Sequence, residues 1–196
     1  GTAFLTGTPN SANLGSNAVT LSVSDGINSP VSQSFTINVT SGTMTTSFTS
    51  VGAQDGWILE SGENTNVGGT LNATATTLRL GDDVTKKQYR SILSFSTGSL
   101  PDNAVITKVT LKVRWQSVTG GGNPVSNFQG FMVDTRKGVF GASGLEATDW
   151  QAAASKTNGP FVTALVSGWY NINLTAAKAY INKLTTSSGL TQIRLR

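Results

Sequence analysis

The sequence contains neither cysteine nor histidine. The lack of cysteine excludes disulfide bonds, thiolate chemistry and cysteine-ligated zinc. The lack of histidine removes the commonest general base, the Ser-His-Asp triad and every histidine-ligated metal centre. These two absences argue against a hydrolase, and we expect a protein that is not an enzyme.

Charged residues are also scarce. Asp, Glu, Lys and Arg make up 12% of the 196 residues, against about 25% in an average protein. Thr, Ser, Asn and Gly fill the difference, which is typical of extracellular β-proteins. The net charge is +4, but the basic residues occur singly or in pairs such as Lys86-Lys87 and Arg136-Lys137. The charge pattern therefore does not indicate a nucleic-acid partner.

Long apolar runs are missing as well. No stretch of the sequence approaches the roughly 20 residues of a membrane-spanning helix, and no signal peptide opens the chain. Together with the composition, these features predict a mature or internal segment of a secreted or cell-surface protein, without a membrane span.

Two stretches near the start of the chain, residues 18–24 and 34–39, alternate between apolar and polar side chains. A period of two predicts strands, and the turn-forming residues 25–30 between them predict a β-hairpin. Asp25 is interpreted as a turn residue rather than a calcium ligand. About three strands fit into residues 1–41, whereas an independent β-sandwich needs about seven, so this unit is predicted to be incomplete.

A family pattern accompanies these strands at Gly7-Thr8-Pro9, Leu14-Gly15 and residues 19–26 and 35–39. It resembles the second half of the immunoglobulin-like and cadherin-like repeats that occur in tandem on bacterial surface proteins. The resemblance implies that residues 1–41 are a partial immunoglobulin-like β-sandwich, whose earlier strands would precede Gly1.

The rest of the chain contains short strand candidates separated by Gly, Asn, Asp and Pro clusters. They are residues 57–59, 77–80, 91–95, 109–115 and 130–133. Such spacing is typical of a β-sandwich or jelly roll. One helix is predicted over residues 174–184, with Asn173 as its N-cap. Its apolar stripe consists of Leu174, Ala177, Ile181 and Leu184.

A second family pattern lies within residues 42–196. It comprises residues 55–61, Gly68-Gly69, residues 78–82, 89–95 and 100–111, and then Val133-Asp134, residues 138–141 and Asp149-Trp150. This pattern resembles the DNRLRE domain, which is linked to carbohydrate-binding module family 96. The resemblance implies a domain of carbohydrate-binding type whose last strands would follow Arg196. The expected fold class is all-β, a partial immunoglobulin-like β-sandwich followed by a jelly-roll β-sandwich with one short helix.

Sugar-binding sites commonly place aromatic planes against pyranose rings and polar groups against the hydroxyls. The candidates for this role are Trp150, Trp115, Tyr89 and Arg90. Trp150 is the preferred exposed platform, and Trp115 ends a predicted strand beside a glycine-rich loop. For Arg90, a structural ion pair with Asp82 or Glu60 is favoured over a ligand contact. Trp57 lies in an apolar strand pattern and is assigned to the core.

Acidic residues are concentrated at the start of the larger unit. Five of the ten in the chain are Asp55, Glu60, Glu63, Asp82 and Asp83. Calcium takes six to eight oxygen ligands, so these carboxylates are candidate ligands of a structural calcium ion, with solvated loop charges as the favoured interpretation. Adjacent residues of a strand point to opposite faces, so Asp82-Asp83 does not form the carboxylate pair of a glycosidase.

Two functions remain after these exclusions. The first is a non-catalytic extracellular module that binds a polysaccharide or cell-surface glycan, or mediates adhesion. The alternative is a structural subunit or repeat of an extracellular bacterial fibre or stalk. In that case other copies of the chain would be partners, because unpaired strand edges accept further strands.

Overall fold

The computed structural model describes residues 4–196. They form two compact units, of which the first ends at Ser47 and the second begins at Phe48. The division between the units lies later than the one expected after residue 41. Each unit is described by itself below.

The first unit is a β-hairpin. A 3-10 helix at Ser11–Asn13 precedes strands β1 (Gly15–Val23) and β2 (Val31–Val39), which pair antiparallel along their whole length. The predicted hairpin is therefore present. Within the described part of this unit there are two strands rather than the expected three.

The turn of the hairpin is fixed by Asp25. Its carboxylate accepts hydrogen bonds from the backbone N–H groups of Asn28 at 2.8 Å and Ile27 at 3.0 Å. The Asn28 amide also donates to it, at 2.7 Å. These hydrogen bonds, those from Asn28 first, lower the pKa of Asp25 to about 2. Asp25 is therefore a turn residue that stabilises the hairpin loop.

The two faces of the hairpin differ in chemistry, because directly paired residues share a face. One face, called the apolar face below, carries Val19, Leu21, Val23, Val31, Phe35, Ile37 and Val39. Most of these side chains are exposed, Val31 by 76%. The other face carries only Ser, Thr, Asn and Ala, and its Thr20 and Ser34 hydroxyls are 2.9 Å apart.

The second unit is a sandwich of two antiparallel sheets. Its strands are β3 (Gly56–Glu60), β4 (Gly68–Asn72), β5 (Gly81–Asp82), β6 (Gln88–Ser96), β7 (Thr110–Arg114), β8 (Phe131–Lys137), β9 (Lys156–Phe161), β10 (Leu165–Val166), β11 (Trp169–Asn173) and β12 (Leu190–Leu195). The larger sheet has seven strands in the order β4-β3-β6-β12-β8-β9, with β5 paired to β6. The smaller sheet has the order β10-β11-β7. The expected all-β sandwich class is confirmed.

The main core lies between the two sheets. Alternation along the strands turns Leu93, Val133 and Ile193 of the larger sheet into this core. Leu111 and Ile172 of the smaller sheet pack into the same cluster. The smaller sheet therefore buries one face and presents the other outward.

The opposite face of the larger sheet is covered by residues 138–155, called the covering loop below. Phe140 and Trp150 of this loop form a second apolar cluster with Ile58 and Ile92 of the sheet. Gly68 allows the loop to approach, because a β-carbon at that position would collide with the carbonyl oxygen of Ala147.

One expected strand is absent, since residues 77–80 are not part of either sheet. The backbone of Arg79 bonds instead to a side chain of β6. Its N–H donates to the Ser91 hydroxyl at 3.0 Å, and that hydroxyl donates to the Arg79 carbonyl at 2.8 Å. The apolar residues Leu78 and Leu80 still pack against the main core, which explains the strand-like pattern.

The predicted helix over residues 174–184 is shorter than expected. It is a 3-10 helix at Thr175–Tyr180, preceded by an Asn173 side chain that accepts the Thr175 N–H at 3.0 Å. Leu174, Ala177 and Ile181 are buried as predicted, but Leu184 is 42% exposed. The other helices of the second unit are α1 (Pro124–Asn127) and the 3-10 helices Ala147–Trp150 and Thr186–Gly189.

Candidate functional site

The outward face of the smaller sheet gathers an aromatic ring, basic groups and an amide. In the β7–β11 ladder Arg114 lies opposite Trp169, and Lys112 lies opposite Asn171. Val166 of β10 lies opposite Trp169 on the other side. Directly opposed residues share a face, so these five side chains lie together. They are called the outer face below.

Simple alternation in the sequence places them there. In β7, Leu111 and Val113 turn inward, and in β11, Tyr170 and Ile172 do the same. Their neighbours on the two strands must then point outward. The Tyr170 ring packs edge-on against Phe131, with ring centres 5.0 Å apart. This inward packing fixes which side chains of the two strands form the outer face.

The outer face is accessible and positive. Trp169 is 40% exposed, and Lys112, Arg114 and Asn171 are exposed. The three strands of the smaller sheet carry no Asp or Glu. Within residues 4–196 neither basic side chain forms a salt bridge. An aromatic plane beside unneutralised cations and an amide can stack on a sugar ring and bind its acidic substituents.

The prediction that Trp150 is an exposed platform is wrong, because its side chain is fully buried. It closes the 3-10 helix of the covering loop and packs on Ile58 and Ile92. The guanidinium carbon of Arg90 lies 4.1 Å from the centre of its ring. Trp150 therefore anchors the loop to the sheet and has no face to offer a ligand.

Arg90 also anchors the covering loop to the larger sheet, and it does not form the predicted ion pair. Its guanidinium donates to the Gln88 side chain and to the carbonyl oxygen of Trp150, both at 2.8 Å. Neither Asp82 nor Glu60 is within salt-bridge distance of it. Burial, followed by the positive charges of Arg194 and Arg196, lowers the pKa of Arg90 to about 10. Arg90 is thus a structural residue, as favoured, with different partners.

Tyr89 belongs to a second aromatic group, away from the outer face. It is half-buried and meets Trp57 edge to face, with ring centres 5.2 Å apart. The exposed Arg79 lies 4.7 Å from the centre of the Trp57 ring and donates to the Tyr89 hydroxyl at 3.2 Å. The arginine therefore already occupies the aromatic plane of this group. Trp57 is half-buried rather than a full core residue.

Trp115 lies at the end of the smaller sheet and is 42% exposed. Its backbone N–H donates to the Gly168 carbonyl at 2.9 Å, which extends the β7–β11 ladder by one residue. Continued alternation turns its ring to the opposite face from Arg114. Trp115 is therefore exposed, as a ligand contact must be, but it is not part of the outer face.

Three of the five carboxylates considered as calcium ligands accept backbone hydrogen bonds in their own surroundings. Asp55 accepts the Ser94 N–H at 2.8 Å, and Asp83 accepts the Lys87 N–H at 2.9 Å. Glu60 accepts N–H groups of Asn66 and Gln88, and Glu63 is exposed. Burial raises the pKa of Asp82, and the charges of Glu60 and Asp83 raise it further. In the described chain no three acidic side chains are grouped so as to hold a metal ion, and calcium binding by this set stays a prediction.

Trp169, Lys112, Arg114 and Asn171 are not among the sugar-binding candidates predicted from the sequence. The signal that identifies them is the matched alternation of two stretches. Residues 111–114 and 169–173 each place apolar side chains on one face and polar or aromatic ones on the other. Only the pairing of these distant stretches in one sheet shows that their outward residues meet.

Comparison of the chain with protein-family models, with curated proteins and with solved structures finds no match. The resemblances to the DNRLRE domain and to bacterial surface repeats therefore stay predictions. None of the helices within residues 4–196 has the length and apolar character needed to cross a membrane.

Proposed function

We propose that the chain is a non-catalytic, extracellular bacterial surface module that binds an acidic polysaccharide on the outer face. One observation carries the proposal. The exposed Trp169 lies on the same side of the smaller sheet as Lys112, Arg114 and Asn171, with no carboxylate on those strands.

Each side chain has a distinct chemical role in this proposal. The Trp169 indole stacks on the apolar face of a sugar ring. The planar guanidinium of Arg114 donates two parallel hydrogen bonds to a carboxylate or sulfate. Lys112 adds a mobile positive charge, and the Asn171 amide bonds hydroxyl groups. The site is flat and exposed, so we expect modest, salt-dependent affinity.

Affinity electrophoresis tests the proposal, with polygalacturonate as the acidic probe and hydroxyethyl cellulose as the neutral one. We expect the acidic polymer to retard the wild type, and Trp169→Ala to lower the affinity by at least about tenfold. Trp115→Ala is the matched control, because Trp115 is as exposed and continued alternation places it on the other side of the sheet. Binding at the outer face is contradicted if the acidic polymer retards Trp169→Ala and Trp115→Ala equally. It is also contradicted if neither polymer retards the wild type.

The hairpin favours a second function, that of a structural subunit in a surface fibre or stalk. An isolated two-stranded hairpin is marginally stable at best, and β1 and β2 contain no charge, proline or bulge that blocks strand addition. We propose that the hairpins of two copies associate, which covers the apolar face and pairs the strand edges.

Sedimentation of the full chain over a range of concentrations tests this association. We expect the wild type to form dimers or larger species, and Leu21→Lys to remain monomeric, because the lysine would lie on the apolar face. Ser22→Lys places the same charge on the polar face and should still associate. A wild type that is monomeric at the highest concentration contradicts the proposal.

A further inference from the structure

Asp149, in the covering loop, is a fully buried carboxyl group with one unpaired oxygen. Its Oδ2 atom accepts the backbone N–H of Glu146 at 2.9 Å, and the whole residue is 0% exposed. Its Oδ1 atom has no hydrogen-bond donor among the described residues. A buried acceptor without a partner is costly, and burial disfavours the charged form of a carboxyl group. The ionised form of Asp149 is therefore unfavourable in the folded protein.

A second carboxylate lies beside the unpaired oxygen. A β-carbon on Gly141 would be 2.8 Å from Asp149 Oδ1 and 3.0 Å from Glu146 Oε2, so both oxygens border the same point. A carbon atom there would clash with Oδ1, whereas a proton bound to that oxygen needs no such room. Protonation turns Oδ1 from an acceptor into a donor, and the Glu146 carboxylate is an acceptor at its side.

The strands beneath the covering loop also bring charged side chains to the face that it covers. These residues share the face of Ile58 and Ile92, and they are Glu60 of β3, Arg90 of β6, Asp134 and Arg136 of β8, Arg194 of β12 and Arg196 after it. Their hydrogen bonds go elsewhere. The arginines donate to Asp134, to Gln88 or to carbonyl oxygens of the loop, and Glu60 accepts backbone N–H groups. Within the described chain none of them forms a salt bridge with the Asp149 carboxylate.

The balance of these interactions disfavours ionisation of Asp149. Burial raises its pKa and is the largest effect. The hydrogen bond from the Glu146 N–H and the charge of Arg194 lower the pKa, the charge of Glu146 raises it, and the net shift is upward. Glu146 is exposed, so one carboxyl group of the pair is in water and the other is not.

We propose that Asp149 and Glu146 share a proton in acid, and that this proton makes the attachment of the covering loop dependent on pH. Protonated Asp149 donates from Oδ1 to the Glu146 carboxylate, which joins the start of the 3-10 helix Ala147–Trp150 to its buried end. When the proton leaves, two negative charges lie side by side and Oδ1 has no partner. The loop segment that packs Trp150 on the larger sheet is then held less firmly.

Thermal unfolding of the full chain at pH 4 to 8 tests this proposal, with Asp149→Asn as an uncharged mimic of the protonated residue that keeps a donor. A raised pKa lowers stability as pH rises from the unfolded value, about 3.9, to the folded one. We expect the two proteins to melt alike at pH 4, and Asp149→Asn to melt about 2 to 4 °C higher at pH 8. The chain has no histidine, so few other groups titrate in this range.

Glu146→Gln removes the neighbouring charge and supplies an amide donor, so it should reduce the pH dependence of the melting temperature. Glu63→Gln makes the same change at an exposed glutamate outside the covering loop and should keep the wild-type pH dependence. Amide hydrogen exchange gives a local measurement. At pH 8, residues 138–155 should exchange about fivefold more slowly in Asp149→Asn than in the wild type, and the hairpin should exchange equally in both.

The proposal is overturned if Asp149→Asn is less stable than the wild type at pH 8, since an ionised Asp149 would then be the favourable form. It is also overturned if the difference between these two proteins does not change with pH, or if Glu63→Gln alters the pH dependence as much as Glu146→Gln does.

Discussion

The guanidinium of Arg194 is buried against the carboxylate of Asp134, with Nη2 of the arginine 2.7 Å from Oδ2 of the aspartate. The two residues lie opposite each other on β12 and β8, on the face under the covering loop. The same guanidinium donates to the carbonyl oxygens of Asp149 and Ala152 and lies over the Phe140 ring. One ion pair therefore joins the centre of the larger sheet to the loop that covers it.

Replacing Asp134 with asparagine should strongly destabilise the second unit. Its side chain is 2% exposed and that of Arg194 is 6% exposed, so the change leaves a buried, unpaired charge. Such a loss costs roughly 3 to 5 kcal/mol of unfolding free energy. Urea unfolding followed by tryptophan fluorescence measures it. The exposed Asp102→Asn is the control, and a cost below about 1 kcal/mol for Asp134→Asn would contradict this account.

The same aspartate should make stability fall in acid. Burial raises the pKa of Asp134, but hydrogen bonds from Thr157, Arg194 and Arg196 outweigh burial and the net shift is downward. A carboxyl group with a lowered pKa stabilises the fold above its unfolded pKa, about 3.9. That contribution disappears as pH falls through the folded value.

The measurement is the difference in unfolding free energy between the wild type and Asp134→Asn at a series of pH values. We expect a difference that is constant near neutral pH and shrinks below about pH 4. Taking the difference cancels the contributions of Asp55 and Asp149 to the pH dependence of the unfolding free energy, since burial raises their pKa values in both proteins. A difference that grows in acid would show that the pKa of Asp134 is not lowered in the folded protein.

Gly68→Ala should loosen the covering loop, because the new methyl group would meet the Ala147 carbonyl and lie 2.8 Å from the Trp150 β-carbon. Overpacking of this kind costs about 1 to 3 kcal/mol. Gly52→Ala adds a methyl group that meets nothing within 4 Å and should be neutral. Limited proteolysis reports the result, and we expect faster cleavage within residues 138–155 in Gly68→Ala alone.

Local periodicity predicted six of the twelve strands within residues 4–196, since β1, β2, β3, β6, β7 and β8 overlap predicted stretches, and it missed β4, β5, β9, β10, β11 and β12. It failed at residues 77–80, where the same alternation packs two leucines into the core while the backbone bonds to Ser91. An alternating pattern records burial on one side, and it does not record whether a neighbouring strand is available for pairing.

The candidate site was harder to predict, and Trp150 and Trp169 illustrate the reason. Trp150 lies beside Asp149 in the sequence, but Arg90 stacks on its ring and Ile58 and Ile92 pack against it beneath the covering loop. Trp169 becomes part of a site because Arg114, far away in sequence, pairs with it. Long-range pairing and buried charge are not visible in a local window of sequence.

Stacking and charge on the outer face should respond differently to salt. Lys112→Gln combined with Arg114→Gln removes the two cations, so the affinity for polygalacturonate should fall at low salt. Near 1 M salt the affinity of this double variant should approach the wild-type affinity, because charges are then screened beyond about 3 Å. Trp169→Ala removes stacking, which salt does not screen, so affinity should fall by a similar factor throughout. Lys86→Gln with Lys137→Gln removes the same charge from exposed positions elsewhere and should leave the salt dependence nearly unchanged. If both double variants weaken the salt dependence of the affinity equally, the overall charge of the protein attracts the polymer and the outer face is not the binding site.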